Sequence, residues 1–514
     1  MNHYIEQACY LEQVIPEYQG NPMIEALPKI WAGDTVEEML SEETPHHDGE
    51  RMLDSRYRMH CIQRLFHYFQ PLEQHIDIEQ RISRCIRQGY LNRNPCTKQY
   101  ARILVDGYEA LSGRRGYGSI RGFRPNASGF TIIGMSGVGK STAVEKILSL
   151  YPQCICHDSY QGQPLVLTQI VWLKLDCPHD GSIKGLCFQF FEAIDRAMGT
   201  DYFPKYTKSR YTVDVLMVLM TQLVNLYQIG ILVIDEIQHL SLAKGGGSEK
   251  MLNFFVTLVN TIGIPVVMIG TTKAMSILQS EFRQARRGSG QGDLLWDRMH
   301  NDLSWEIFVA SMWKHQWTRN KIPLTGEMKN TLYEESQGII DIAVKLYAMV
   351  QIKAITVGKD SFSAKDFHVA ATEKLGLVKP MLDALRTGDK KKIRQYGDIS
   401  PVSIEDYLSS YMSMAKDPIS EKAPEGKISV AEQAVLKLLE LGVEPGIAKR
   451  LSGRALAAKR NNPHVADVVR EAYYLYIMEG KEMEAAETAD KDDLRKQGGY
   501  DAMKQKGLVD ETEW

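Results

Sequence analysis

The chain reads as an α/β protein built round a five-stranded parallel sheet, with a helical block after the sheet and mostly helical segments at both ends. Three observations predict this. Residues Gly134-Met135-Ser136-Gly137-Val138-Gly139-Lys140-Ser141 spell G-x-x-x-x-G-K-S, the pattern of a phosphate loop, between a short apolar run and a helical pattern. Apolar runs that read as strands recur at 130–134, 166–176, 231–235, 265–270 and 305–310, with helical patterns between them. Strands that alternate with helices imply a parallel sheet covered on both faces. Finally, Ile231-Leu232-Val233-Ile234 ends in Asp235-Glu236, the pattern of a buried strand that empties into a site at its carboxyl end.

Residues 1–60 are polar and mixed. A short apolar island, Asn21 to Pro28, stands in them, and Asp34 to Glu50 reads as a loose connection, so this segment is expected to dock on a partner. In 61–118, Ile76, Ile78, Ile82, Ile86 and Tyr90 fall mostly at helical spacing, which predicts a helical block packed beside the site.

The core is expected over 119–315. In the phosphate loop, glycines let the backbone turn its N–H groups onto a phosphate, and the N-terminus of the following helix adds partial positive charge. Gly134, Ser136, Gly137, Val138, Gly139, Lys140, Ser141 and Thr142 are therefore the candidate nucleotide contacts. Lys140 suits the β- and γ-phosphates, and the Ser141 hydroxyl suits Mg²⁺. Asp235 is the expected second Mg²⁺ partner, and Glu236 the expected base that orients the attacking water. The gap between Lys140 and Asp235 is long enough for one more strand and two or more helices. Thr271, at the tip of the strand ending in Gly270, is the candidate γ-phosphate sensor.

Three arginines follow, Arg283, Arg286 and Arg287, running into Gly288-Ser289-Gly290. An arginine offered across a subunit interface stabilises transition-state charge, and Arg287 is taken as the candidate finger. The stretch Asp201 to Tyr211 reads as a basic, aromatic loop, in which Lys205, Lys208 and Arg210 are candidate DNA-backbone contacts.

A helical lid is expected over 316–399, with Lys345 placed to reach back to the nucleotide. Residues 400–427, with Pro401, Pro418, Pro424 and Gly426, read as a linker. A small helical module with an acid-rich tail takes up 428–514.

With 514 residues the chain is too long for one core, and a net charge of −3 confines nucleic-acid binding to local patches. No apolar run is long enough to span a membrane, and Met1 to Glu6 lacks signal-peptide design. Eight scattered cysteines fit a reduced, cytoplasmic protein. Cys154-x-Cys156-His157 with Cys177-Pro178-His179 matches no standard zinc spacing.

Together these stretches resemble the AAA+ ATPases of bacterial transposons, and most closely the TnsC family of target-choice regulators. The resemblance rests on Asn21 to Pro28, Arg81 to Pro95, Gly134 to Thr142, Val233 to Leu240, Met251 to Val256, Arg283 to Gly290 and Pro380 to Arg386. The most specific stretches are D-E-I-Q-H-L from Asp235 and M-L-N-F-F-V from Met251. The resemblance implies an AAA+ fold that binds ATP with Mg²⁺ and assembles as rings or filaments on duplex DNA. It also implies partners: a TnsD- or TniQ-type selector at the N-terminal segment and the transposase subunits TnsA and TnsB at the C-terminal tail. ATP hydrolysis would reset the assembly, in a bacterial cytoplasm and on DNA. Where many such lids carry an arginine, this chain reads Gly338-Ile339-Ile340-Asp341, which implies slow or partner-dependent hydrolysis. The competing readings are another AAA+ DNA-remodelling ATPase, such as a helicase loader, and a signalling ATPase that ignores DNA.

Overall fold

The structure is a computed structural model of the chain. It describes residues 5–41, 44–98, 129–208, 211–242, 263–274, 292–389, 430–441, 445–458 and 464–478, with a few single positions between them. Two compact units are present, Met1–Ala415 and Lys416–Trp514.

The described strands are β1 (Ile5–Gln7), β2 (Phe130–Gly134), β3 (Cys154–Tyr160), β4 (Gln163–Ile170), β5 (Trp172–Asp176), β6 (Ile231–Asp235), β7 (Val266–Gly270) and β8 (Asp293–Trp296). Five of them form the central sheet in the order β5-β6-β7-β2-β8, and every pairing in it is parallel. β2, β6 and β7 are buried along their whole length, as their unbroken apolar sequences require when helices cover both faces. Because β2 lies between β7 and β8, the strand order reverses there, and the crevice at the strands' carboxyl ends is where such sheets bind ligands.

The number and direction of strands agree with the sequence reading, but two strand assignments change. Residues 305–310 are not a strand. They lie in the helix Leu303–Met312, which Asp302 caps by accepting from the Ser304 and Trp305 N–H groups. Trp305, Phe308, Val309 and Met312 are all buried at helical spacing, so a short apolar run had helical periodicity that its strand-like composition masked. The fifth strand is instead β8, held to β2 by a hydrogen bond from the Thr131 hydroxyl to Asp293. The second change is in 166–176, which divides between β4 and β5.

β3 and β4 form a hairpin turned at Gln161 and Gly162, both at positive φ as a two-residue hairpin turn demands. β1 joins β3 in parallel, so a second, three-stranded sheet flanks the first. The N-terminal segment is thus structural. Met23, Ile24 and Leu27 are fully buried, and Asn21 accepts from the Met23 N–H at 3.1 Å while donating to the Tyr90 carbonyl at 2.8 Å. The expected loose connection contains the helix Gly33–Leu40. As expected, the helix Glu73–Leu91 buries Ile78, Ile82, Ile86 and Tyr90.

The lid is a stack of helices, Gly326–Ser336, Ile340–Thr356, Ala364–Lys374 and Lys379–Thr387, packed round Trp313, Tyr347, Phe362 and Phe367. The C-terminal unit has its own core, in which Ala434 and Leu438 of Val430–Glu440 meet Ala448, Leu451 and Ala455 of Pro445–Ala457, together with Val468 and Ala472. Among the described residues, no helix is long and apolar enough to cross a membrane.

Candidate nucleotide site

A cavity of about 830 Å³ opens at the carboxyl ends of β2, β6 and β7. Ser136 to Thr142 line one wall and Asp235, Glu236, Gln238, Gly270 and Thr271 another. Of the other candidate contacts, Gly134 lies at the end of β2, and its carbonyl holds Lys140. The distant motifs of the sequence therefore meet round one space large enough for a nucleotide.

The phosphate loop has the backbone its glycines predict. Gly137 and Gly139 sit at φ +79° and +93°, and Gly139 caps the helix Lys140–Leu148, so that helix presents its N-terminus to the cavity. Lys140 is buried, with its ammonium held by the Gly134 and Met135 carbonyls at 3.1 and 2.6 Å. A side chain fixed in this way gives up little entropy when it meets a phosphate.

Asp235 is also buried, and its Oδ1 accepts from the Glu236 N–H at 2.8 Å. Its Oδ2 lies 3.5 Å from the Lys174 ammonium, which also meets Glu145 at 2.9 Å and Asp176 at 3.2 Å. Burial alone would lower the lysine's pKa, but the bond to Glu145 and the charges of Asp235 and Asp176 outweigh it and hold it raised. Glu236 is exposed into the cavity at φ +57°, a left-handed conformation that lifts its carboxylate off the strand line. The Thr271 hydroxyl is buried with no hydrogen-bond partner.

These residues fit ATP and Mg²⁺. Gly137 and Gly139 leave the loop without side chains at two positive-φ positions beside the cavity, Ser141 and Asp235 supply hard oxygen ligands, and the orphaned Thr271 hydroxyl is a donor awaiting an acceptor.

The remaining walls were only partly foreseen. Gln63, the run from Leu65 to Gln70, and His75 close one side, consistent with the expectation that the block after residue 60 packs beside the nucleotide. Burial depresses His75 to about 4, so it is neutral, and its Nδ1 accepts from the Leu72 N–H at 2.8 Å. Burial likewise pushes the Tyr68 phenol up to about 12, and it donates to the Phe308 carbonyl at 3.2 Å. The lid contributes Ile339, Ile340, Asp341, Ile342, Val344 and Lys345. It is fastened to the phosphate loop by the Asp341 N–H, which donates to the Gly137 carbonyl at 3.1 Å. Lys345, expected to reach back to the nucleotide, lines the cavity wall in an ion pair with Asp341 at 2.7 Å. Among the described lining residues there is no arginine.

Sequence reasoning gave no role to Lys174 or Gln238. Lys174 left a signal, a single charge inside the apolar strand W-L-K-L-D, and Gln238 stands in the D-E-I-Q stretch.

Arg283, Arg286 and Arg287 lie outside the described residues, as does Arg210. Lys205 and Lys208 are exposed, but their surroundings are not a loop. Tyr202–Thr207 is a short helix in which Phe203 is exposed but Tyr206 is buried and stacks with Tyr202, whose hydroxyl meets that of Tyr227 at 2.9 Å. Two of the aromatics in the basic, aromatic stretch therefore serve packing. His157, in the cysteine-rich stretch, is buried between the Tyr10 hydroxyl and Gln169, both at 2.9 Å.

Residues 125–278 match the family model described as AAA domain. With the five-stranded parallel sheet and the cavity at its carboxyl edge, that match makes this an AAA+ P-loop fold and its core an AAA-type ATPase domain. A search of curated proteins found no significant match. Similar solved structures include the Aeropyrum pernix ORC1 protein in complex with DNA, at 13% identity and a TM-score of 0.34, covering 61% of this chain and 81% of that one. Cdc6p from Pyrobaculum aerophilum matches at 14% identity and a TM-score of 0.34, covering 62% and 85%. A Walker-type ATPase of Pyrococcus abyssi matches at 14% identity and a TM-score of 0.33, covering 63% and 91%.

Proposed function

We propose that this protein is an ATP-hydrolysing regulator of DNA transposition, which assembles on duplex DNA, links a target selector to a transposase, and is reset by hydrolysis. The ATPase half rests on one observation: Lys140, Asp235, Glu236 and Thr271, far apart in sequence, line or border a single nucleotide-sized cavity. Lys140 and the helix N-terminus would hold the phosphates, Ser141 and Asp235 would hold Mg²⁺, Glu236 would take the proton of the water that attacks the γ-phosphorus as ADP leaves, and Thr271 would donate to the γ-phosphate. When bound, Mg²⁺ neutralises charge on the β- and γ-oxygens.

The transposition half rests on the sequence stretches that resemble TnsC, above all those beginning at Asp235 and Met251. Assembly through the nucleotide would bring an arginine finger from a neighbouring subunit, for which Arg287 is the candidate. Lys205 and Lys208 are exposed for phosphate contact, and DNA binding should be backbone-directed and weaken steeply with salt. The selector would be of TnsD or TniQ type and the transposase of TnsA and TnsB type.

The test is purified protein with duplex DNA, imaged and sized with ATP, ADP and a slowly hydrolysed ATP analogue. ATP-dependent rings or filaments are expected. Lys140→Ala should lose them, and Glu236→Gln should bind ATP, lose hydrolysis and persist on DNA. Monomers indifferent to DNA in every nucleotide state, with and without a selector, would sink the reading.

A further inference from the structure

The side chain of Gln238 lies between Glu236 and Thr271. Gln238 is only 3% exposed. Its Nε2 donates to the Glu236 carboxylate, and its Oε1 accepts the Thr271 N–H at 3.1 Å. One rigid, planar amide group therefore touches both the base and the backbone of the sensor. The bond to the Thr271 N–H lies among buried atoms, so water cannot replace it cheaply, and it fixes the amide whose other end holds the exposed Glu236 carboxylate.

Two further features make this contact a transmitter. The first is at Gly270, which immediately precedes Thr271. A Cβ on Gly270 would come within 2.5 Å of Ile237 Cγ1 and 3.2 Å of Gln238 Oε1, so the tip of β7 packs directly against the residues after Glu236 with no side chain between. A shift at one is felt at the other. The second is the backbone of Glu236. At φ +57° a residue with a Cβ is held in a sparsely populated conformation, which persists only where its surroundings fix it. The fixing contacts are the Asp235 carboxylate on the Glu236 N–H at 2.8 Å, the His239 N–H on the Glu236 carbonyl at 3.1 Å, and Gln238 on the Glu236 side chain.

We propose that Gln238 is a positioning residue that relays engagement of the γ-phosphate from Thr271 to Glu236. The proposal rests on the reading of Glu236 as base and Thr271 as sensor. When the Thr271 hydroxyl engages a γ-phosphate, the accompanying movement of its N–H draws the Gln238 amide with it, and the amide's other end re-aims the Glu236 carboxylate at the water. ADP offers Thr271 no γ-phosphate, so the carboxylate stays where the nucleotide-free arrangement holds it. Gln238 itself touches no reacting atom.

The test is steady-state ATP hydrolysis by the full chain for the wild type, Gln238→Met, Thr271→Ala and the pair combined, with ATP affinity measured separately in a Glu236→Gln background. Methionine keeps the length of glutamine and loses both hydrogen bonds. The expected result is a fall in kcat of roughly tenfold or more with KM for ATP unchanged, since a base that is present but misaimed loses transition-state stabilisation only. In the double variant, losing Thr271 should cost much less than it does alone, because the relay is already cut. Should Gln238→Met fold poorly, Gln238→Glu keeps the shape, loses the donor and predicts the same split between kcat and KM. Additive losses, or kcat and ATP affinity falling together, would overturn the relay and leave Gln238 a packing residue. Failure of the underlying reading shows separately: Glu236→Gln would then hydrolyse ATP as the wild type does.

Discussion

Thr271 is where a single atom separates stability from function. A buried hydroxyl without a partner costs about 1–3 kcal/mol of desolvation, and the fold tolerates that cost at a strand tip that lines the cavity. Thr271→Val keeps the shape and removes the orphan. In the absence of nucleotide, the variant should be more stable than the wild type by about 1 kcal/mol, read from chemical denaturation, while hydrolysing ATP roughly tenfold more slowly. A variant that is no more stable and hydrolyses normally would mean that the hydroxyl is satisfied by water and senses nothing. Lys174 makes the opposite point. Its ammonium bridges three carboxylates, one of them the buried Asp235, so that charge does not stand uncompensated behind the site.

At the scale of elements, the site depends on how the lid meets the phosphate loop. Ile339 and Asp341 begin the lid helix, and a Cβ on Gly137 would stand 3.2 Å from Ile339 Cγ2 and 3.3 Å from Asp341 Cβ. Gly137→Ala therefore both strains a left-handed position and pushes the lid away, and should weaken ATP binding by about tenfold or more, measured by titration with a fluorescent nucleotide. Unchanged affinity would show that the lid gives way without consequence for the nucleotide. The loop itself was legible in the sequence because its chemistry is local: glycine, lysine and serine at fixed offsets dictate the turn. So were β2, β6 and β7, whose apolar runs have no competing reading. The helix Leu303–Met312 was misread because ten residues of mixed apolar character satisfy either period, and an aspartate cap at its start outweighs β-branched composition. The Tyr202–Thr207 helix was misread because aromatic residues that pack inward look the same in a sequence as aromatic residues held out for a base. The D-E-I-Q stretch placed Gln238 beside Glu236, but no local pattern could announce its bond to Thr271 or the wall from Leu65 to Gln70, since those partners stand far away in the chain.

At the scale of the whole molecule, two units carry separate cores. The larger includes the sheet, the N-terminal segment and the lid in continuous packing, so the segment read from sequence as a docking arm contributes to the stability of the ATPase domain. The smaller is built largely on Ala434, Ala448, Ala455 and Ala472 with two leucines and two valines, and small side chains bury little apolar area each. Calorimetry should therefore show two transitions, with the lower and smaller one belonging to the C-terminal unit. If the cavity takes ATP analogue with Mg²⁺ as proposed, a hundredfold excess over its Kd should stabilise the larger unit by about 2.7 kcal/mol. The upper transition should then move up and the lower one stay in place, while in Lys140→Ala neither should move. If a single transition shifts as a whole, folding of the C-terminal helices is coupled to the nucleotide, and the two units signal to each other through stability itself.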